Sequence, residues 1–349
     1  MNKPVNHALL DKILKHFEIT DFEKQILGYH STYRESFQDK LLSESELEEA
    51  RRHGFYIGHH KTGLGEFLSY TPLPRYLKKH FPDIKVYVCK HRFAEALFRH
   101  NPFVDGVHDI AGREPIGTFR EYGFGTHPQK RLRPFGLFVP GPVLPEITVS
   151  EPVMNRWREW KAKLPLQGRK LIMVQSSGRT NPKLFSMFKW WGLLRSMREE
   201  FYFVQIGNLR DQFIWANKVM LNQWDMEEMA AALSQGEAFI GPNSGVMHFA
   251  AATGVNAVIL HNEALASEMV FPTLGDNFVL PKEINGHLFH AYPQHHHLMI
   301  DRMWDQPGLF SERLTKETLL EAVRRACRGV NPLWSEIEGA FTTEATCLF

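Results

Sequence analysis

From residue 54 onward, short apolar runs alternate with segments whose apolar residues recur at helical spacing. The first series predicts strands and helices in turn, over residues 55–57, 68–80, 84–89, 93–99 and 104–110. The same rhythm restarts at residue 170, with elements expected over residues 171–175, 186–199, 201–206, 225–236, 237–240 and 255–260. Buried strands that alternate with helices in this way indicate parallel sheets with helices on both faces.

The two series predict an α/β protein of two Rossmann-like halves that face a central cleft. Residues before the first series are polar and helical in pattern, and one candidate helix over 43–53 opens on Ser43. The predicted divisions are an N-terminal helical extension (1–53), a first domain (54–150), a second domain (151–330) and a C-terminal tail (331–349). Because ligands of such sheets bind beyond the carboxyl ends of the strands, a substrate cleft between the halves is expected.

Composition narrows the class of protein without naming an activity. The chain has 349 residues, which is too long for one ordinary hydrophobic core. Its formal net charge of +2 argues against general electrostatic binding to nucleic acid. Cys89, Cys327 and Cys347 are scattered, so they support neither a disulfide framework nor a zinc site. No apolar run approaches the roughly 18 residues that span a bilayer, and no secretory h-region is visible. A cytoplasmic location is therefore expected, with the inner face of the membrane as an alternative.

The segment between the last two predicted strands carries the most specific motif. It reads GPNSGVMHFAAATG over residues 241–254, a tight turn followed by a short alanine-rich helix that stops at Gly254. Amides at the start of such a helix lack internal partners, and the helix dipole adds partial positive charge. The turn therefore predicts an anion site, most simply for a phosphate. A strand, turn and helix without any ligand is the alternative that the pattern leaves open.

Three other loops place charged residues at predicted strand ends. The first follows the strand near 55–58 and sets Glu66 beside Gly63 and Gly65 at a helix start. A carboxylate there suits a general base, although it would also simply complement the helix dipole.

The other two loops are basic. The loop over 176–183 contains Arg179 and Lys183, and cations of this kind neutralise phosphate oxygens. The loop over 123–137 contains His127, Lys130 and Arg131 and is the most positive stretch of the first domain. Acceptor recognition and a plain solvated charge run remain the two interpretations of the latter loop.

Taken in order, these motifs resemble those of glycosyltransferase family 9, the heptosyltransferase-like enzymes of GT-B fold. The matching segments are GEFLSYTPL at 65–73, KKHFPDIKVYV at 78–88, NPFVD at 101–105 and the motif at 241–254. The resemblance extends over about residues 54–330 and implies two Rossmann-like domains around a cleft. It also implies that the last amphipathic helix, near residues 315–328, crosses back to the first domain.

The resemblance implies a role for each candidate residue. Glu66 would be the general base for an acceptor hydroxyl, in place of the family's commoner Asp. The donor diphosphate and ribose would be held by Lys183, Arg179, Asn243, Ser244, Gly245, Val246, His248 and Glu263. The acceptor would be bound by Gly63, Gly65, His127, Lys130 and Arg131. Asn243 stands where many members carry Asp, so no acidic role is expected of it.

The implied function is transfer of a sugar, a heptose among the candidates, from a nucleotide-diphosphate donor such as ADP-heptose to a hydroxyl on a glycan, glycolipid or protein. Inversion at the anomeric carbon, no metal and no other cofactor are expected, as in the family. Cell-surface glycan or lipopolysaccharide synthesis would be the setting, with peripheral membrane contact as an open alternative. Two rival functions remain, a nucleotide-sugar epimerase on the same scaffold and a non-catalytic protein that binds sugar nucleotides. The oligomeric state is not predicted.

One further cluster, the run His295–His296–His297, is predicted to be an exposed loop. Adjacent side chains of a regular element point in different directions, so a shared metal is not expected.

Overall fold

The computed structural model describes residues 42–58, 63–109, 127–137, 139, 143–177, 187–222, 225–242, 244–262, 295–300 and 316–329. Within these ranges the strands form two sheets, one of three strands and one of six, and every strand pairing is parallel. Parallel neighbours need crossover connections. The described helices supply most of them, whereas residues 208–217 join two neighbouring strands of the larger sheet without a helix. The mixed α/β architecture with parallel sheets confirms the fold class predicted from the alternating pattern.

The first sheet consists of β1 (Phe55–Ile57), β2 (Val86–Cys89) and β3 (Gly106–His108), in that order. Its register begins with Phe55 opposite Val86. Each strand has only three or four residues, and β1 and β2 are followed along the chain by the helices Leu64–Leu68 and Ala94–Phe98.

The second sheet is doubly wound. Its strands are β4 (Lys170–Val174), β5 (Phe201–Gly207), β6 (Lys218–Leu221), β7 (Ala238–Pro242), β8 (Ala257–Asn262) and β9 (His295–Ile300). Their spatial order is β6-β5-β4-β7-β8-β9, so the chain reverses its direction of travel between β4 and β7. The carboxyl ends at such a switch point form the ligand crevice of open α/β sheets.

 The described ranges contain eleven helical segments, of which ten are α-helices and one is a 3-10 turn over Arg133–Phe135. The α-helices are α1 (Glu44–His53), α2 (Leu64–Leu68), α3 (Leu73–His80), α4 (Ala94–Phe98), α5 (His127–Leu132), α6 (Glu151–Ala162), α7 (Met187–Met197), α8 (Met226–Leu233), α9 (Gly245–Ala252) and α10 (Lys316–Arg328). None of the described helices is long and apolar enough to span a membrane.

The described part of the N-terminal extension is held by a capping box. The Glu46 amide donates to Ser43 Oγ at 3.3 Å, and the Ser43 amide donates to Glu46 Oε2 at 2.8 Å. Ala50 of α1 is buried in the core beside the first sheet, and the Leu42 amide donates to the Pro134 carbonyl at 2.8 Å. The helix expected to open on Ser43 is therefore confirmed and packs on the first sheet.

The core follows the alternation of side chains along β4. Leu171 and Met173 face a large apolar cluster that continues to the first sheet, whereas Ile172 and Val174 face a second cluster on the opposite side. Both faces of the six-stranded sheet are thus buried, as expected for a parallel sheet.

Four features differ from the sequence predictions. The helix expected over 68–80 divides into α2 and α3, because the intervening turn leads into Pro72 and Pro74, and proline is accommodated at a helix start but not inside one. Helix α6, which buries Trp157, begins at the predicted boundary between the two domains, where no element was predicted.

The other two differences concern the far side of the second sheet. The histidine run is the start of β9 rather than a loop, with His295 opposite Ala257 of β8. Helix α10 packs on the second sheet through Leu319, Val323 and Ala326, rather than crossing to the first domain, because these residues form one apolar stripe.

Candidate active site

The predicted anion turn lies at the switch point of the second sheet. Strand β7 leads through Ser244, the N-cap residue in extended conformation, into α9. The Ser244 side chain does not cap the helix but donates its proton to Gln175 Oε1 at 2.5 Å, beyond the end of β4. The first-turn amides, including those of Gly245 and Val246, are therefore not capped by this hydroxyl. Together with the helix dipole they can bind an anion.

Helix α2 of the first half packs directly against α9 of the second half. A Cβ on Gly65 would lie 2.4 Å from Cδ2 and 2.8 Å from Nε2 of His248. A Cβ on Gly245 would lie 3.1 Å from the Leu64 side chain. His248 is 3% exposed, so its ring is buried at this contact. The two motifs that the sequence separates by about 180 residues thus meet through two glycines.

Glu66 lies in the first turn of α2 and its side chain is 47% exposed. One carboxylate oxygen, Oε1, accepts from Arg131 Nη2 at 3.2 Å. The carboxylate is therefore anchored on one side and open to solvent on the other. This combination suits a group that accepts a proton from a bound hydroxyl.

Arg131 is not on an open loop, as expected of an acceptor-binding cation, but 1% exposed inside α5. Its Nε donates to Ser69 Oγ at 2.5 Å, and its Nη1 donates to Tyr70 Oη at 2.5 Å. The guanidinium carbon also lies 3.9 Å from the centre of the Tyr70 ring. A buried guanidinium needs this number of partners because it carries five donors. The side chain lies behind Glu66 and is shielded from solvent, and its predicted contact with an acceptor stays a prediction.

The sequence analysis missed a buried polar network behind the anion turn. Asp211 follows β5, is 7% exposed, and accepts from Ser177 Oγ at 2.9 Å and from Gln175 Nε2 at 3.4 Å. Asn208 also donates to this carboxylate, from its backbone amide to Oδ2 at 3.0 Å and from Nδ2 to Oδ1 at 3.4 Å. Burial raises the pKa of the Asp211 carboxyl, although these hydrogen bonds oppose the shift. An acid in the turn that follows a buried strand, at the edge where ligands bind, was the signal that could have identified it.

A second link between the halves is electrostatic. Glu227 of α8 is buried and accepts from the Ser150 amide at 2.7 Å. His100 Nε2 lies 3.6 Å and Arg99 Nη1 lies 3.8 Å from its Oε2. Burial acts to raise the pKa of Glu227, but the Ser150 hydrogen bonds and the His100 charge outweigh it and lower the pKa overall. This carboxylate therefore ties the second sheet to the first half and to the chain that joins them.

The remaining predicted residues are placed only in part. Gly63 is the N-cap of α2 with open space beside it, and Val246 is buried in α9. The backbone of His127 and Lys130 belongs to α5, while their side chains lie outside the described part of the structure. Four predicted donor residues lie entirely outside the described ranges: Arg179, Lys183, Asn243 and Glu263. Among the residues that are described, no group of three or more His, Cys, Asp or Glu could hold a metal ion.

Solved structures share this fold. A glycosyltransferase of family 9 from Veillonella parvula superposes with a TM-score of 0.56 at 12% identity, over 79% of this chain and 97% of its own. The ADP-heptose lipopolysaccharide heptosyltransferase II of Escherichia coli gives a TM-score of 0.53 at 14% identity, over 78% of this chain and 98% of its own. The chain has the fold of these two glycosyltransferases, the GT-B fold.

Within the family 9 fold, the superposition extends over nearly the whole of both solved structures, so it includes both sheets rather than one half. No model of a known protein family and no curated protein sequence matches the chain. The likeness is therefore one of three-dimensional structure, at an identity where sequence comparison alone detects nothing. It confirms the fold that the resemblance to glycosyltransferase family 9 implied.

Proposed function

We propose that this protein is a glycosyltransferase that moves a sugar from a nucleotide-diphosphate donor to an acceptor hydroxyl. The observation that carries the proposal is the packing of α2 on α9, in which Leu64 and Gly65, the residues just before the half-exposed Glu66, contact the helix start suited to a diphosphate. A base and an anion site on facing halves are the two groups that sugar transfer requires. The solved glycosyltransferases of the same fold support this assignment.

The proposed reaction is a displacement at the anomeric carbon with inversion. The acceptor oxygen forms a bond to that carbon while its proton passes to Glu66. The bond from the carbon to the phosphate oxygen breaks, and its electron pair leaves with the nucleoside diphosphate. The amides of Gly245 and Val246 and the dipole of α9 would stabilise the charge that develops there. No metal takes part in the proposed step.

Residues whose side chains lie outside the described part of the structure complete the proposed site. Lys183 and Arg179 would neutralise the diphosphate, Asn243 would shape the turn, and Glu263 would accept from ribose hydroxyls. His127 and Lys130 would recognise the acceptor, which we propose to be a glycan, glycolipid or protein. An ADP-linked heptose is one candidate donor, since a heptosyltransferase that uses ADP-heptose has the same fold. We propose that the reaction takes place in the cytoplasm or at the inner face of the membrane.

The first test is a thermal-shift panel of ADP-, UDP-, GDP- and CMP-linked sugars, each with and without Mg²⁺. A ligand that binds only the folded protein raises the melting temperature, so a selective rise would identify the nucleotide. Replacing Val246 by proline removes one first-turn amide without disturbing a helical hydrogen bond, and should weaken the shift. The matched control is Met226→Pro in the first turn of α8, which should keep the full shift.

Each result of this panel decides something. Binding that survives Val246→Pro would move the donor away from α9 and contradict the proposed site. No shift with any nucleotide would contradict the function itself. Donor binding without transfer to any acceptor or to water would instead favour a non-catalytic sugar-nucleotide-binding protein.

A further inference from the structure

The Ser244 hydroxyl has a single proton, and the structure assigns it to a protein group. Ser244 Oγ donates to Gln175 Oε1 at 2.5 Å, across the switch point between β7 and β4. A hydroxyl carries one donor and two acceptor lone pairs. With its proton on Gln175, this hydroxyl presents only lone pairs to anything else that approaches.

Gln175 cannot reverse its amide without an electrostatic penalty. Its Nε2 donates to Asp211 Oδ2 at 3.4 Å, and an ionised carboxylate only accepts hydrogen bonds. If the amide turned over, its oxygen would face the carboxylate and its nitrogen would face Ser244. Asp211 therefore determines which end of Gln175 meets the hydroxyl.

Asp211 is itself held in place by the turn that carries it. The Asn208 amide donates to Oδ2 at 3.0 Å, and Ser177 Oγ donates to Oδ1 at 2.9 Å. Gly207 has φ of +133°, and a Cβ there would lie 1.8 Å from Asp211 Oδ2. The carboxylate thus occupies the space that a larger residue at 207 would fill.

We infer that Asp211 is a positioning residue that acts through the Gln175 amide to hold the Ser244 proton away from the donor phosphate. The inference rests on the proposed function, which places the donor diphosphate at the start of α9. An ionised diphosphate offers only acceptors, so it cannot bond to a hydroxyl whose proton is already committed. The phosphate is then held by backbone amides and by cations, and the arrangement limits donor affinity instead of increasing it.

This arrangement predicts that breaking the relay strengthens donor binding. Asp211→Asn allows Gln175 to turn over, which frees the Ser244 proton for a phosphate oxygen. Gln175→Met removes the strong acceptor while keeping an unbranched side chain of similar length. Each variant should bind a nucleoside diphosphate about ten-fold more tightly, the effect of one hydrogen bond to a charged group.

The decisive experiment is calorimetric titration of the full chain and its variants with ADP, UDP, GDP and inorganic pyrophosphate. The gain in Asp211→Asn and in Gln175→Met should disappear when Ser244→Ala is added to each, because the freed hydroxyl is then absent. A merely structural role for Asp211 would not produce a gain that depends on Ser244. Glu200→Gln is the matched control, since it removes one negative charge at the other end of β5, about 20 Å away.

The outcomes separate this inference from the proposed function. If the wild-type chain binds none of the four probes, both are overturned. If it binds a probe and the variants bind with equal or lower affinity, only the inference is overturned. If Asp211→Asn does not fold, Gln175→Met with and without Ser244→Ala gives the same decision. A gain that also appears in Glu200→Gln would reduce the effect to net charge and overturn the inference.

Discussion

The two sides of the site each place a buried charge behind a motif residue, but they connect it differently. In the first half the Arg131 guanidinium contacts the Glu66 carboxylate directly, at 3.2 Å. In the second half the Asp211 carboxylate reaches Ser244 only through the neutral Gln175 amide. A direct ion pair acts through the attraction between two charges. A neutral amide between two groups instead determines the direction of the hydrogen bonds on each side of it. The first arrangement suits a base that must be ionised, and the second suits the orientation of a hydroxyl.

The largest effect is expected on the side of the direct pair. Glu66→Gln removes the proposed base, so kcat should fall by about 100- to 10,000-fold. The measurement is steady-state transfer with the donor found in the panel. Glu95→Gln is the control, because Glu95 is likewise an exposed acid in the first turn of a five-residue helix. Equal losses in both variants would reduce Glu66 to a helix-dipole charge.

The next prediction concerns how much the buried Arg131 contributes to the stability of the fold. Arg131→Met leaves the hydroxyls of Ser69 and Tyr70 without their buried partner, and should lower the unfolding free energy by about 3 kcal/mol. Arg75→Met removes an exposed arginine paired with Glu146 and should cost less than about 1 kcal/mol. Urea unfolding of both variants decides this point. A similar cost for the two would mean that burial of Arg131 contributes nothing.

A smaller effect is expected where the two sides touch. Gly65→Ala places a methyl group against the His248 ring, and overpacking of this kind costs about 1–3 kcal/mol. Nucleotide affinity should fall as well, because the displaced ring belongs to α9. Gly63→Ser adds a side chain two residues earlier, at an open N-cap position, and should be neutral or slightly stabilising. Thermal unfolding with and without nucleotide provides both quantities, and an unchanged Gly65→Ala protein would contradict the close packing.

The smallest effect concerns the carboxylate that links the halves. Because the pKa of Glu227 is lowered in the folded protein, its ionised form stabilises the fold above the ordinary carboxyl value near 4.5. That contribution is lost as the pH falls through the lowered pKa. Glu227→Gln should therefore be less stable than the wild type by about 1 kcal/mol at pH 7, and the gap should close in acid. Unfolding curves recorded from pH 7 to pH 3 measure the gap, and one that does not change with pH would contradict the prediction.

Local patterns predicted much of the fold because they depend on near neighbours in sequence. The strand positions follow from short apolar runs, and the start of α8 follows from Asp225, which accepts from the Glu228 amide at 2.8 Å. Two of the wrong predictions, those for β9 and for the contacts of α10, concern which elements lie next to each other in space. A histidine run carries no alternating apolar pattern, so only its pairing with β8 identifies it as a strand.

For the site, the same distinction separates motif residues from their supports. The order of strand, turn and helix around Ser244 and the acid beside Gly65 are readable from the chain, because glycine, capping and charge act within one turn. The partners of Arg131 and Ser244 lie 61 to 69 residues away in sequence. No local pattern specifies such distances.

The sequence by itself determined the alternation of strands and helices, the anion turn and the candidate base, because each depends on residues a few positions apart. Only the tertiary structure decided that Arg131 stands behind Glu66, that Asp211 reaches Ser244 through Gln175, and that His248 covers Gly65. The physical reason is that a buried charge or polar group must find its partners across the core, where packing rather than sequence order selects its neighbours.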